Sequence, residues 1–308
     1  MMGSITGMAG TSRHAITGRK LDTVDGLELA VQERGRQDAP TVLALHGYPD
    51  DHTVWDGVAD ALADHYRVVT YDVRGAGASG VPASTEGYRV EQLADDLRRV
   101  ADAVSPQAPV HLLAHDWGSV QTWHAITDPA DRHRFASFTS ISGPCLDHVG
   151  HWVRESLRGG PKALALLAKQ LVCSTYIAFF RLPKLPELAW RSGLMHRVLG
   201  LAEWLDRNVA VDRTRPRTAD GSNGLELYRA TAGVLASPGH RSTEVPVQVL
   251  APTGDPFVSP PMQTGIDRWV SDLRIRRIPG GHWLPRTNPD LVARCTAELV
   301  DRVGDETG

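Results

Sequence analysis

Short apolar runs and amphipathic stretches alternate along most of this chain, and the alternation breaks once. Residues 42–45 and Arg67–Tyr71 read as buried strands, with Val54, Trp55, Val58 and Leu62 at helical spacing between them. Leu93, Leu97, Val100 and Val104 fall at i, i+4, i+7 and i+11, which predicts an amphipathic helix over 89–104. Residues 109–114 and 135–141 read as further strands, with a helix over 120–127 between them. From about 144 to 240 the pattern changes. Helix-like stretches at 153–157, 161–176 and 189–207 are joined by segments rich in proline or glycine, with no strand pattern. Alternation then resumes with a strand at 245–251, a helix near 263–270, a strand at 273–278 and a last helix over 288–302. Such alternation implies an α/β fold with a mostly parallel, doubly wound sheet. The predicted organisation is a core of 19–143 and 241–308, interrupted by a helical cap of 144–240.

Composition narrows the classes without choosing among them. A chain of 308 residues, 42% hydrophobic and 22% charged, can bury one large α/β core with an insertion. A formal net charge of -3 gives no reason to expect nucleic acid or an anionic membrane as partner. No uninterrupted apolar run approaches the roughly 18 residues of a membrane span. The first 18 residues are small, polar and rich in glycine, so the sequence predicts a disordered leader rather than a secretory signal. Cys145, Cys173 and Cys295 are odd in number and lack metal-ligand spacing, which fits free thiols in a reducing cytoplasm. No metal or organic cofactor is expected. The oligomeric state stays open, a homodimer being one option.

The candidate chemistry centres on Asp116. In Ala114-His115-Asp116-Trp117-Gly118 a small residue stands two before, and a glycine two after, one polar residue between a strand and a helix. That is the pattern of a nucleophile elbow, a strained turn that tolerates only small flanking residues. A carboxylate nucleophile suits displacement at a saturated carbon, leaving an alkyl ester that water must then cut. Gly254-Asp255-Pro256 follows the strand at 245–251, and Gly281-His282 follows the strand at 273–278. Both therefore belong at the carboxyl edge of the sheet, where α/β ligand sites form. A Gly-His or a Gly-Asp-Pro by itself is an ordinary turn. The chain order of nucleophile, acid and histidine, all on one edge, is the order of α/β-hydrolase triads. His46-Gly47-Tyr48-Pro49 follows another strand, so the backbone N–H groups of Tyr48 and Trp117 are the candidate oxyanion hole. The loop Asp72 to Ser79 lacks the spacing and the lysine of a phosphate loop and reads as scaffold.

Taken together, His46-Gly47-Tyr48-Pro49, Asp72-x-Arg74-Gly75-x-Gly77-x-Ser79, His115-Asp116-Trp117-Gly118, Gly254-Asp255 and Gly281-His282 resemble the epoxide hydrolases of the α/β-hydrolase superfamily, over roughly residues 25–303. The chain is similar to the hydrolase half of those members that also carry a short-chain-dehydrogenase-like domain. The resemblance implies an aromatic residue between the Gly and Pro of the oxyanion loop, matched by Tyr48. It also implies cap tyrosines that hydrogen-bond and protonate the epoxide oxygen, and the similar segments place them at Tyr176 and Tyr228. The implied reaction converts a small lipophilic epoxide to a vicinal diol through an ester on Asp116, cut by water that His282 and Asp255 activate. His46, Pro49, Phe180 and Trp283 are expected around the substrate. Two departures stand out: Ala114 where the family often has glycine, and a poorly matching loop over 213–221. Haloalkane dehalogenases share the Asp nucleophile and the following tryptophan, but have asparagine where Tyr48 stands. A non-catalytic ligand-binding homologue is the reading from another class.

Overall fold

The computed structural model describes residues 14–205, 216–233 and 238–307. Its core is an eight-stranded sheet of β1 (Thr17–Asp22), β2 (Glu28–Gly35), β3 (Thr41–Leu45), β4 (Arg67–Tyr71), β5 (Val110–His115), β6 (Phe135–Ile141), β7 (Val247–Pro252) and β8 (Leu273–Ile278). The spatial order is β1-β2-β4-β3-β5-β6-β7-β8. β1 and β2 form an antiparallel hairpin and β2 runs antiparallel to β4, while every other pair is parallel. Thr17 and Gly18, expected within a disordered leader over 1–18, instead belong to β1 and pair with Glu33 and Gln32 of β2. Residues 1–13 lie outside the described residues.

The core helices are α1 (Asp56–Leu62), α2 (Val90–Val104) and α3 (Trp117–Ile126). After β6 comes the cap, with α4 (Leu146–Arg158), α5 (Pro161–Cys173), α6 (Thr175–Phe180), α7 (Leu185–Arg191), α8 (Leu194–Leu205), α9 (Thr218–Asn223) and α10 (Leu225–Ala230). The core then closes with α11 (Pro260–Thr264), α12 (Leu284–Thr287) and α13 (Pro289–Thr307). The two faces of the sheet explain the sequence pattern. Leu43 and Leu45 of β3 join Leu93, Leu97 and Val100 of α2 in one apolar cluster, whereas Val42 and Ala44 join Val58 and Leu62 of α1 and Val292 of α13 in the other. A strand covered on both faces reads as an unbroken apolar run. Full burial of each such leucine stabilises by about 1.5–3 kcal/mol.

Three predicted helices differ from the observed ones. The stretch at 263–270 is helical only in α11, which ends at Gly265, and its apolar residues Ile266 and Val270 are buried in a turn that bridges Val270 to Thr243. The stretch at 189–207 divides at Ser192-Gly193, where Gly193 takes a φ of 77°. Its last two residues lie outside the described residues. The stretch at 161–176 breaks at Ser174. By length and composition, the run Pro161–Phe180 is apolar enough to cross a bilayer. Lys162 and Lys169 interrupt it in sequence, so no uninterrupted apolar run marks it.

The scaffold loop after β4 is built around a buried charge. Arg74 donates from Nε and Nη2 to the two oxygens of Asp96, both at 2.6 Å, and from Nη1 to Asp25 at 3.0 Å and to the Gly87 carbonyl at 2.9 Å. Burial still wins at Asp96, whose carboxyl is pushed up to about 6 despite the guanidinium beside it. Asp72 holds the other end, accepting from the His52 N–H at 2.9 Å and the Ala78 N–H at 2.8 Å. This loop is also where the cap lands. Gly77 N donates to Asp220 at 3.1 Å, and Asn223 donates to the Gly75 carbonyl at 3.0 Å.

Candidate active site

Asp116 sits between β5 and α3 with φ 51° and ψ -123°, a region costly for a residue with a side chain. The turn persists because its surroundings leave no alternative. Its N–H donates to the Ile141 carbonyl at 3.0 Å. A Cβ at Gly47 would collide with the Asp116 carboxylate, and one at Gly143 with the Asp116 carbonyl. Both glycines are therefore the means by which neighbouring loops approach the elbow.

One carboxylate oxygen, Oδ1, accepts the Tyr48 N–H at 2.7 Å, and the Trp117 N–H also hydrogen-bonds to the carboxylate. The other, Oδ2, lies 3.7 Å from His282 Nε2. On the far side of the ring, His282 Nδ1 donates to Asp255 Oδ2 at 3.0 Å. Asp255 is held in turn by the N–H groups of Phe257 (2.8 Å) and Val258 (3.0 Å) on its second oxygen. The histidine is thus fixed with Nδ1 protonated and Nε2 facing Asp116.

The site's charges are coupled. Burial raises the Asp116 carboxyl to about 6, opposed by His282 and by the Trp117 and Tyr48 N–H groups. Burial works against a charged His282, but the Asp255 charge and hydrogen bond, and then Asp116, override it and lift the imidazole to about 9. Asp255 is kept below the usual carboxylate range by His282, against its own burial. At neutral pH the resting site therefore holds an imidazolium between two carboxylates.

Two cavities meet at Asp116. The larger, about 470 Å³, is lined by Tyr48, Pro49, Phe180 and Trp283 from the expected set, and by Leu194 and Val198 of α8. The smaller, about 200 Å³, runs between α4 and α5, past Trp152 and Leu171. Tyr176 and Tyr228 line both, with rings 6.0 Å apart, and Tyr228 packs edge-on to Trp117 at 5.1 Å. Burial raises both phenols, and the Asp116 charge raises them further. Arg181 fixes the second tyrosine by donating to the Tyr228 carbonyl at 2.9 Å. Tyr48 joins core to cap: its hydroxyl donates to the Gly221 carbonyl at 2.9 Å and accepts the Trp190 indole N–H at 2.8 Å.

His46, expected beside the substrate, is not among the lining residues. It is buried behind the oxyanion loop, where Nε2 accepts the Val73 N–H at 2.9 Å and Nδ1 donates to the Gly47 carbonyl at 2.9 Å. With both ring nitrogens engaged by backbone, its role there is to hold two loops together. Sequence reasoning also passes over two residues that position the triad. His115 is fully buried and donates from Nε2 to the His282 carbonyl at 2.9 Å, its imidazole kept neutral by burial. Asp50 accepts from the Trp283 indole (3.1 Å) and from Arg286 (2.5 Å), which fixes the residue after His282. The only signal for either was its place beside a motif. Among the described residues, no group of three or more His, Cys, Asp or Glu side chains is arranged to hold a metal ion.

Comparison with known proteins gives these features a context. Residues 40–289 match the family model of the alpha/beta hydrolase fold. Over 293 residues the chain is 35% identical to a probable oxidoreductase, EphD, of Mycobacterium tuberculosis, covering 92% of this chain and 49% of that protein. It thus spans about half the length of the curated relatives it matches first. It is 38% identical over 133 residues to epoxide hydrolase A of the same organism, covering 43% of this chain and 40% of that one. A crystal structure of the Bacillus megaterium epoxide hydrolase with an inhibitor superposes with a TM-score of 0.77 at 20% identity, over 92% of this chain and 100% of that one. The sheet order, the elbow between β5 and α3 and the family match over 40–289 agree, and the chain belongs to the α/β-hydrolase fold family.

Proposed function

We propose that this chain hydrolyses a lipophilic epoxide to a vicinal diol by way of an ester on Asp116. The observation that carries the reading is the pair of cap tyrosines, Tyr176 and Tyr228, lining the same cavities as the Asp116 carboxylate. A carboxylate attacking an oxirane carbon opens the ring to an alkoxide, a poor leaving group unless a proton is supplied. A phenol placed over the nucleophile supplies it, which typically contributes 10²–10⁴-fold. Halide departure needs no such acid. Similarity to proteins named as epoxide hydrolases supports the same choice. The apolar lining, with Phe180, Leu194 and Trp283, suits a hydrophobic substrate.

The proposed cycle has two half-reactions. In the first, an Asp116 oxygen bonds to an oxirane carbon, the carbon–oxygen bond breaks, and a tyrosine proton passes to the departing oxygen, leaving a phenolate. Asp116 is now a neutral ester. It no longer supports a charged His282, so the imidazolium, falling below its resting value of about 9, gives its proton to the phenolate and becomes a neutral base. In the second half, His282 Nε2 takes a proton from water, and the hydroxide adds to the ester carbonyl. The resulting oxyanion is held by the Tyr48 and Trp117 N–H groups; removing one such donor costs about 2.7–4 kcal/mol in a comparable site. Collapse expels the diol oxygen, which takes the proton from His282. The new carboxylic acid of Asp116 passes its proton to His282, and the imidazolium between two carboxylates is restored.

The test separates the halves. His282→Gln should react once with styrene oxide and stall, adding one substrate mass to the intact protein. Asp116→Asn should take up no mass. If His282→Gln turns styrene oxide over without ever carrying an adduct, water attacks the epoxide directly and the scheme is wrong.

A further inference from the structure

The cap carries an outer surface that the hydrolytic reading leaves unexplained. On α5, Leu164, Ala168, Leu171 and Val172 fall at i, i+4, i+7 and i+8 and all are exposed, Val172 at 70%. Only Leu167 and Gln170 of that helix are buried. On α8, Leu194, Val198 and Leu201 repeat the pattern at i, i+4 and i+7, and Leu185 and Leu188 on α7 add to it. A chain of packed helices, α5 on α6, α6 on α7 and α7 on α8, links these residues. Exposed apolar side chains this numerous on one stretch mark an interaction surface rather than scattered surface leucines.

Charge says what kind of surface. The whole chain has a net charge of -3, yet residues 151–200 hold eight Arg or Lys against two carboxylates, Glu155 and Glu187. Those two carboxylates are paired with Arg268 and Arg229. Three of the chain's four lysines lie here, at 162, 169 and 184, and all three are exposed. Lys162 and Lys169, seven residues apart, form one row on α5, next to Val172 and across the helix from Leu171. Apolar side chains flanked by long basic ones are the composition of a helix that lies in a membrane interface, with the lysines reaching up to the headgroups.

We propose that this face of the cap docks onto a lipid bilayer bearing anionic headgroups. Resting on the epoxide reading, we further infer that the substrate enters from that bilayer. The same side chains connect the two: Leu194 and Val198 are both exposed and part of the larger cavity's lining, and Leu171 is both exposed and part of the smaller one's. The helix lies on the bilayer and does not cross it, because Gln170 is tied to the core through the Phe257 carbonyl (2.8 Å) and the Ser259 N–H (3.0 Å). A second copy of the chain is the poorer occupant, since a two-fold contact would set like charges against each other. The overall charge, which gave no reason to expect an anionic membrane, conceals this local excess.

The experiment is flotation of the full chain with vesicles of phosphatidylcholine alone, or with a third phosphatidylglycerol. Binding should be at least about tenfold stronger to the anionic vesicles and should weaken with added salt. The doubly substituted Leu164→Glu, Leu188→Glu changes two exposed residues outside the cavity lining. It should lose that binding at least about tenfold, keep styrene oxide turnover in solution, and lose turnover of an epoxy fatty ester dissolved in the vesicles. Wild-type protein that fails to float, or that binds both vesicles equally, overturns the proposal. So does a wild-type dimer that the same substitutions split while flotation is unchanged. Flotation is read without turnover, so a wild type that floats but leaves every epoxide untouched refutes the epoxide reading alone.

Discussion

Tyr48→Phe isolates one atom with two partners. The Tyr48 hydroxyl accepts the Trp190 indole N–H and donates to the Gly221 carbonyl. Phenylalanine keeps the ring and its edge contacts with Phe180 at 5.6 Å and Tyr228 at 5.4 Å, so little packing is lost. What changes is that a buried donor and a buried acceptor on the cap lose their partner. Each costs about 1–3 kcal/mol, and the pair about 2–4 kcal/mol, because the carbonyl has a second lone pair to fall back on. At about 2.1 cal/mol/K of unfolding entropy per residue, a chain of this length loses about 1.5 °C per kcal/mol, so the melting temperature should fall by about 3–6 °C. The backbone N–H of Tyr48 still faces Asp116, so single-turnover alkylation and ester hydrolysis should both proceed near wild-type rates. Differential scanning calorimetry and rapid-quench kinetics read the two effects separately. Adding Trp190→Phe should cost much less than it does alone, with a coupling of at least about 1 kcal/mol. An unchanged melting temperature, or a hundredfold loss of hydrolysis at unchanged stability, would refute the division of labour between the ring hydroxyl and the backbone.

Two further outcomes follow from charge. Burial raises the Asp116 carboxyl to about 6, and only the carboxylate attacks, so single-turnover alkylation should be flat above that pH and fall about tenfold per unit below it. A rate that holds steady down to pH about 4.5 would contradict this. Arg74→Met should destabilise the fold by about 3–5 kcal/mol, measured by urea denaturation, because Asp96 is left buried without its cation. Arg74→Met together with Asp96→Leu should recover most of that loss, and a double variant no better than the single would show that packing, not charge, is at stake.

The legible parts of this molecule are those where one interaction dominates. β3, β4, β5, β6 and β7 are covered on both faces and announce themselves as apolar runs. β1 does not: its residues are nearly all exposed, and it is held by backbone pairing with β2 and by contacts such as Arg19 with Glu33. The cap helices were legible as helices but not in their breaks, since Ser174 and Gly193 end helices through local backbone geometry that a hydrophobic pattern does not record. In the site, the turns bearing Asp116, Asp255 and His282 could be located because each closes a recognisable strand. His46 departs from its expected place beside the substrate. It stands in the motif that bears the oxyanion donor, yet its ring faces backward into the core. Adjacency in sequence places a residue near a site without saying which way it points.

The cap is fastened unevenly. Its last helices are tied to the core through Asp220, Asn223 and the Tyr48 hydroxyl, and its first through Asp147 and His148, which bond with Arg241. Among the described residues, α5, between them, has one polar tether to the core, the Gln170 amide. Local opening takes the least-held path, and such opening typically occurs on the microsecond-to-millisecond scale that often limits how fast a product leaves. Among the described residues, the smaller cavity therefore has a wall whose polar hold on the core is a single side-chain amide. The polar hold that would have to be released to free that wall is one residue, Gln170, on two backbone groups, those of Phe257 and Ser259.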